Sequence, residues 1–237
     1  MKRAQRETYA SALLTFDEAK YDDTLRIIDQ IGKLNFQLQL MKTKIFYLKE
    51  EYNRCIYESR ILIELDTAAD DGYFLLGASL VKKGKIEQAH QELKIAMTMV
   101  DVPGANLMTL NGCVTMHLQH LEDSWFSFDR IVKDNPADMN SLLNRGCAAF
   151  TLQEWQKAID DFTLILHYQP FLPNVLCLRA RVYACIREWE KAKKDYSDVL
   201  IYYPDYADAI SGLDDIDNKY EELPMMDLKR VEDANNY

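Results

Sequence analysis

Turn-forming residues are scarce in this sequence, which contains only 8 glycines and 6 prolines among its 237 residues. Folds made of many short strands need frequent turns and draw heavily on these two residue types. Hydrophobic residues make up 48% of the chain and charged residues 28%, which is typical of a folded protein in water. The composition therefore argues against an all-β fold and favours helices.

Long hydrophobic runs are absent as well. No stretch approaches the roughly 18 consecutive apolar residues that a membrane-spanning helix needs. The beginning of the chain, MKRAQRETYA, is too polar for the apolar part of a secretory signal. The sequence thus predicts a cytoplasmic protein, with a ciliary or cytoskeleton-associated location left open.

Cysteine pairs are also lacking. The five cysteines are odd in number and form no CxxC motif, so neither a disulfide framework nor a zinc ribbon is indicated. We expect most of them to be reduced and to serve as small apolar packing residues. They are Cys55, Cys113, Cys147, Cys177 and Cys185.

Catalytic motifs are equally sparse. The chain has 4 histidines, no glycine-rich phosphate loop and no GxSxG nucleophile motif. Cys113, His117 and His120 do follow a helical i, i+4, i+7 spacing that could present metal ligands on one face, but no fourth ligand is evident. The sequence predicts a protein that is not an enzyme and has no metal or cofactor.

The net charge of −10 argues against nucleic acid and anionic membrane as partners, because both favour a basic surface. The charge is unevenly distributed. Residues 1–60 carry 11 Lys and Arg against 9 Asp and Glu, whereas residues 187–237 carry 7 against 14. The C-terminal end of the protein is therefore distinctly acidic.

What the sequence does contain is a period. Trp155 and Trp189 are 34 residues apart, as are Ala158 and Ala192. Around each tryptophan, two apolar stretches at helical spacing are joined by a short polar turn. Further copies appear toward the N-terminus at steps of 34, 35, 34 and 31 residues, with a fading match. The chain is thus predicted to be an array of helical hairpins, each of which buries its apolar face against a neighbour.

Small residues at fixed positions explain how each hairpin closes. Gly146 in the first helix and Ala158 in the second offer little side chain where the two helices cross, and Phe162 fills the adjacent space. Pro136, Pro170 and Pro204 are evenly spaced and end successive second helices. A period of 34 with small, aromatic, alanine and proline positions resembles the tetratricopeptide repeat (TPR) family.

The resemblance covers residues 5–220, about nine-tenths of the chain. It implies an all-α, right-handed superhelical solenoid of helix-turn-helix repeats, whose first helices line a concave groove, with a C-terminal capping helix. We predict one solenoid over residues 1–220 and a flexible tail over residues 221–237. The predicted repeats are 5–36, 37–69, 70–104, 105–138, 139–172 and 173–206, followed by a cap at 207–220.

Asparagines recur one turn into three consecutive first helices, at Asn106, Asn140 and Asn174, and Asn144 lies one turn beyond Asn140. An inward-facing asparagine can hold the backbone of an extended peptide, because its amide both donates and accepts hydrogen bonds. Asparagine is also common in local capping at helix starts, which leaves that alternative open.

Acidic residues are missing from the same helices. Segments 106–118, 140–152 and 174–186 contain no Asp or Glu, and their charged residues are Arg145, Arg179 and Arg181. Arg145 and Arg179 share a register and are expected to brace the scaffold, whereas Arg181 should face the groove. Burial of these helices alone could also exclude the acids. The predicted partner-binding residues are Asn106, Thr109, Cys113, Asn140, Leu143, Asn144, Cys147, Phe150, Asn174, Cys177, Leu178 and Arg181.

These features predict a scaffold or adaptor that captures a segment of a partner protein in the groove. One alternative is a structural subunit of a multiprotein complex, such as a ciliary or transport complex, bound through convex or terminal faces. Another is a co-chaperone, because the LLNRGCAAF segment resembles part of the TPR clamp for chaperone C-termini. Most clamp cations are missing, however, with Thr109, Cys113, Asn174 and Leu178 at their positions.

Overall fold

The computed structural model describes residues 3–31 and 34–221, and all of its regular structure is helical. The predicted tail, 221–237, lies outside the described residues except for Glu221, which ends the last helix. The helices are α1 (Arg3–Asp17), α2 (Tyr21–Ile31), α3 (Phe36–Leu48), α4 (Tyr52–Leu65), α5 (Asp70–Lys82), α6 (Ile86–Met99), α7 (Ala105–His117), α8 (Leu121–Asp134), α9 (Met139–Thr151), α10 (Trp155–Tyr168), α11 (Pro173–Cys185), α12 (Trp189–Tyr202) and α13 (Ala207–Glu221).

Consecutive helices pair as hairpins, which confirms the predicted helical-hairpin organisation. Residue contacts divide the chain into two compact units, Met1–Ser127 and Phe128–Tyr237. The sequence showed no sign of this division, because the boundary falls inside α8 and not in a linker. No helix in the described ranges is long and apolar enough to cross a membrane.

The turn inside each hairpin has the same backbone conformation. One residue in each turn has a positive φ between 57° and 71°, which is the left-handed region that favours glycine. Their spacing follows the steps of the sequence period, although only one of them is a glycine. The residues are Ala19, Glu50, Gly84, Gln119, Gln153 and Arg187.

Hydrogen bonds around these residues form a repeated C-cap. In the α9–α10 turn, the Gln153 N–H donates to the Phe150 carbonyl at 3.0 Å, and the Glu154 N–H donates to the Ala149 carbonyl at 2.9 Å. This pair of bonds is a Schellman motif, which satisfies the last carbonyls of a helix. Glu154 is also the N-cap of α10. The hairpin therefore reverses direction within three residues.

We expect Gln153→Gly to stabilise the protein by about 0.5–1 kcal/mol, because glycine removes the cost of a left-handed backbone at a modest cost in unfolded-state entropy. Gln156→Gly is the matched control, since Gln156 lies within α10, where glycine costs about 1 kcal/mol. Urea denaturation of both variants measures the two effects. A loss of stability in Gln153→Gly would contradict the assigned turn.

Tight helix crossings confirm the predicted role of the small residues in the second unit. A Cβ atom added to Gly146 would lie 2.7 Å from Cε1 of Phe162, closer than two carbon atoms can pack without displacement. Ala158, Ala192 and Phe162 have no solvent exposure. Substituting bulkier residues at this crossing must therefore push the helices apart.

Buried ion pairs brace the second unit, as predicted for Arg145 and Arg179. The Arg145 guanidinium donates to both carboxylate oxygens of Asp161, at 2.6 and 3.0 Å, and to Asp129 at 2.7 Å. Arg179 similarly donates to both oxygens of Asp195 at 2.8 Å. Each arginine contacts residues 16 positions away, so each ties a first helix to a neighbouring second helix.

The first unit repeats this spacing with weaker groups. Lys42 pairs with Glu58, 16 residues later, at 2.9 Å. Asn111 donates from Nδ2 to the Ser127 hydroxyl, also 16 residues later, at 3.0 Å. The bidentate arginine bridge is therefore a feature of α9 and α11 and not of every hairpin.

Candidate peptide-binding face

Two stripes of side chains on α9 and α11 form the centre of the predicted groove in the second unit. Asn140, Asn144 and Cys147 follow an i, i+4, i+7 spacing along α9, and Asn174, Leu178 and Arg181 follow the same spacing along α11. Residues with this spacing share one side of a helix. Each stripe is therefore a continuous surface along its helix.

A contact between Arg181 and Phe150 joins the two stripes. The Arg181 guanidinium carbon lies 5.7 Å from the centroid of the Phe150 ring, within range of a cation–π interaction. Burial raises the pKa of the Cys147 thiol, and the nearby charge of Arg181 opposes that shift. We call the surface of Asn140, Asn144, Phe150, Asn174 and Arg181 the α9–α11 face.

Most of the predicted residues of the second unit reach solvent, as binding requires. Asn140, Asn174 and Arg181 are exposed, and Leu143, Asn144, Cys147, Phe150 and Leu178 are half-buried. Cys177 is the exception, with 3% of its surface exposed. Its predicted contact with a partner is wrong, because its side chain packs inside the unit.

The asparagine side chains of this face are not occupied by local capping. α9 is capped by Asp138, whose carboxylate accepts a hydrogen bond from the Ser141 N–H at 3.1 Å, and α11 begins with Pro173 after Leu172. Within the described ranges, Asn140, Asn144 and Asn174 make no side-chain hydrogen bond. Their amides are therefore available to a partner, and the capping alternative is wrong for these residues.

Arg181 differs from the two bracing arginines. Arg145 and Arg179 have less than a fifth of their side chains exposed and pair with buried carboxylates. Arg181 is exposed and makes no ion pair in the part of the chain that the structure describes. Its guanidinium is positioned by Phe150 and leaves its N–H donors accessible.

Asp208 adds an acidic group that the sequence analysis did not include in the groove. Burial raises the pKa of the Cys177 thiol to about 11, and the nearby Asp208 carboxylate acts in the same direction. Asp208 lies at the exposed start of α13, 34 residues after Asn174. The period could therefore have identified it, because it continues the series of Asn106, Asn140 and Asn174.

The predicted residues on α7 belong to the first unit. Asn106 and Cys113 are exposed and Thr109 is half-buried. The expectation that most cysteines are packing residues is correct for Cys55 and Cys177 and wrong for Cys113 and Cys185, which are exposed; all five thiols are free.

The histidine near α7 has a different neighbour from the one its spacing implied. The His120 ring packs edge-to-face against the His90 ring, with centroids 4.9 Å apart. Burial lowers the pKa of His90, and the charge of His120 adds to this shift. No three His, Cys, Asp or Glu side chains among the described residues are grouped so that they could hold a metal ion.

Solved structures resemble this protein at low sequence identity. YrrB, a TPR protein with an unusual peptide-binding site, is 18% identical with a TM-score of 0.72; the alignment covers 79% of this chain and 95% of YrrB. MamA is 15% identical with a TM-score of 0.60, over 67% of this chain and 92% of MamA. PilW, a widely conserved type IV pilus biogenesis factor, is 10% identical with a TM-score of 0.62, over 90% of this chain and 100% of PilW.

No protein-family model matches the sequence, and no curated protein sequence is similar to it. The fold assignment therefore depends on three-dimensional similarity together with the period and its hairpins. Both lead to the same architecture. The chain has the tetratricopeptide repeat fold, an all-α solenoid of helical hairpins.

Proposed function

We propose that this protein is a non-enzymatic scaffold that captures an extended segment of a partner protein on the α9–α11 face. The observation that carries the proposal is the set of unoccupied side chains on this face: three asparagine amides and one exposed guanidinium beside half-buried apolar groups. An amide pairs with both the N–H and the carbonyl of an extended backbone. The expected setting is the cytoplasm, without nucleic acid or membrane as the partner.

The chemistry of the face defines the segment that fits it. Phe150 and Leu178 offer apolar contacts, and Arg181 offers charge-assisted hydrogen bonds to a carboxylate. Asp208, at the start of α13, would repel such a carboxylate if the segment were shifted toward it. The preferred segment therefore has apolar anchors and an acidic residue near Arg181, and charge sets its register more than its affinity.

The similarity to YrrB supports a peptide as the ligand, because YrrB is described by its peptide-binding site. The chaperone clamp receives less support. Its cations would have to come from positions held here by Asn174 and Leu178, so a terminal carboxylate would lack charge-assisted partners there. We therefore favour an internal segment of the partner over its C-terminus.

Two groove variants test this proposal by affinity capture and mass spectrometry. Arg181→Glu should weaken capture through like-charge repulsion, and the loss should shrink at high salt. Asn140→Ala combined with Asn144→Ala should also weaken capture, but without a change in salt dependence, because amide bonds to a backbone involve no net charge.

Lys194→Glu provides the matched control, because it makes the same charge change at an exposed position on α12. Circular dichroism must first show that every variant is folded. If both groove variants retain every partner of the wild type, the α9–α11 face is not the binding surface.

A further inference from the structure

A ridge of exposed aromatic side chains runs along the C-terminal ends of α10 and α12. Tyr168, Phe171, Tyr202 and Tyr203 have 51%, 61%, 59% and 49% of their surfaces exposed, and Ile201 has 69%. We call these five residues the aromatic ridge. An apolar cluster of this kind, left open to water, marks an interaction surface more often than a structural one.

The ridge is continuous across two hairpins. Phe171, in the link between α10 and α11, packs edge-to-face against Tyr202 at the end of α12, with ring centroids 5.0 Å apart. Tyr203 contacts Tyr206 at 6.5 Å in the link to α13. The rings are therefore held by one another, which lowers the entropy cost of ordering them in a complex.

The repeat itself does not require these aromatics. Tyr168 and Tyr202 occupy equivalent positions, but one period earlier the same position is Asp134. An exposed aspartate at that position shows that a hairpin of this chain forms without an aromatic there. The exposed rings of the last two hairpins therefore need an explanation other than folding.

The charge around the ridge is negative. Residues 158–178 and 195–217 contain no Lys or Arg, and the second segment contains seven aspartates. Asp205 lies between Tyr203 and Tyr206 and is exposed. Upstream on α12, Lys191 and Lys193 are paired with Glu188 and Asp217. The ridge thus combines open π-faces with an uncompensated negative field.

We propose that the aromatic ridge is a second protein-binding surface, which takes a cationic segment of a partner. Arg and Lys side chains gain cation–π contacts with the exposed tyrosine and phenylalanine rings, and nearby aspartates attract the same charges. An acidic segment, a nucleic acid or an anionic membrane would be repelled. This surface is separate from the α9–α11 face and does not depend on that face binding a partner.

Fluorescence polarisation with synthetic peptides tests the proposal directly. The probe is a short labelled peptide of alternating Arg and Leu, and its counterpart has Glu in place of Arg. The full-length protein should bind the Arg peptide and not the Glu peptide. Phe171→Ser combined with Tyr202→Ser should weaken binding by at least about tenfold, because aromatic residues dominate the energy of such contacts.

Two further variants keep the test decisive. Asp205→Lys should weaken binding in a salt-dependent manner while leaving the exposed link intact. Tyr57→Ser, which removes an equally exposed ring from the first unit, should leave binding unchanged, and Arg181→Glu should not weaken it. Absence of Arg-peptide binding, equal binding of both peptides, or unchanged binding by the ridge variant would overturn the proposal. So would self-association that the ridge variant abolishes, because the occupant would then be a second copy.

Discussion

Replacing Arg145 with alanine is expected to lower the free energy of unfolding by about 3–5 kcal/mol, because the change leaves buried carboxylates without a partner. Asp129 and Asp161 both accept hydrogen bonds from Arg145, and their side chains are only 9% and 5% exposed. Lys133 still pairs with Asp129, but Asp161 has no other printed cation. Urea denaturation followed by circular dichroism measures the loss.

The expected effect depends on burial and not on charge. Arg181→Ala is the matched control, because it removes an exposed arginine from the next first helix and should cost far less. Combining Arg145→Met with Asp161→Leu should recover much of the lost stability, since apolar residues can replace a buried ion pair at little cost. A similar loss from Arg145→Ala and Arg181→Ala would show that the bridge contributes no specific stability.

Ala158→Leu is expected to lower the free energy of unfolding by about 1–3 kcal/mol, because the added atoms have no space at the crossing of α9 and α10. Ala158 is fully buried, and Gly146 on the facing helix already touches Phe162. Ala192→Leu should behave in the same way at the α11–α12 crossing. Denaturation midpoints of the two variants measure the effect.

Asp160→Ala is the control for this pair, since Asp160 is exposed and its carboxylate accepts a hydrogen bond only from Gln156 at 2.8 Å. That variant should change stability by no more than about 0.5 kcal/mol. If the alanine and aspartate variants lost the same stability, α9 and α10 would not cross where the repeat places them.

The period predicted the hairpins well because it reflects local backbone geometry. Six left-handed turn residues follow the same spacing as the small and aromatic positions, although five of the six are not glycine. Their side chains carry no signal for such a turn, so Gln153 and Arg187 could be located only through the register of their neighbours. The repeat was thus more informative than turn propensity.

The ion pairs were only half predictable. A shared register indicated that Arg145 and Arg179 brace the scaffold, but their partners lie 16 residues away on other helices. That distance depends on how two hairpins stack, which residue spacing within one helix does not specify. Asp161 therefore looked like one of two solvated acids beside Asp160, whereas it is buried.

The candidate face was predicted in outline and corrected in detail. Helical spacing placed Asn140, Asn144 and Arg181 on solvent-facing surfaces, but it also predicted that Cys177 would be accessible. The aromatic ridge escaped prediction for a related reason. Aromatic residues at helix ends have the same spacing as core residues, and only the packing shows that Phe171 and Tyr202 remain exposed.

Site-specific photo-crosslinking tests the proposed capture of a partner segment most directly. A benzophenone amino acid replaces Leu178 on the α9–α11 face in one variant and Asp160 on α10 in another. After irradiation with the partner obtained by affinity capture, crosslinks should form from position 178 and not from position 160. Crosslinks from position 160 alone, or none from position 178 while the partner is bound, would contradict binding at this face.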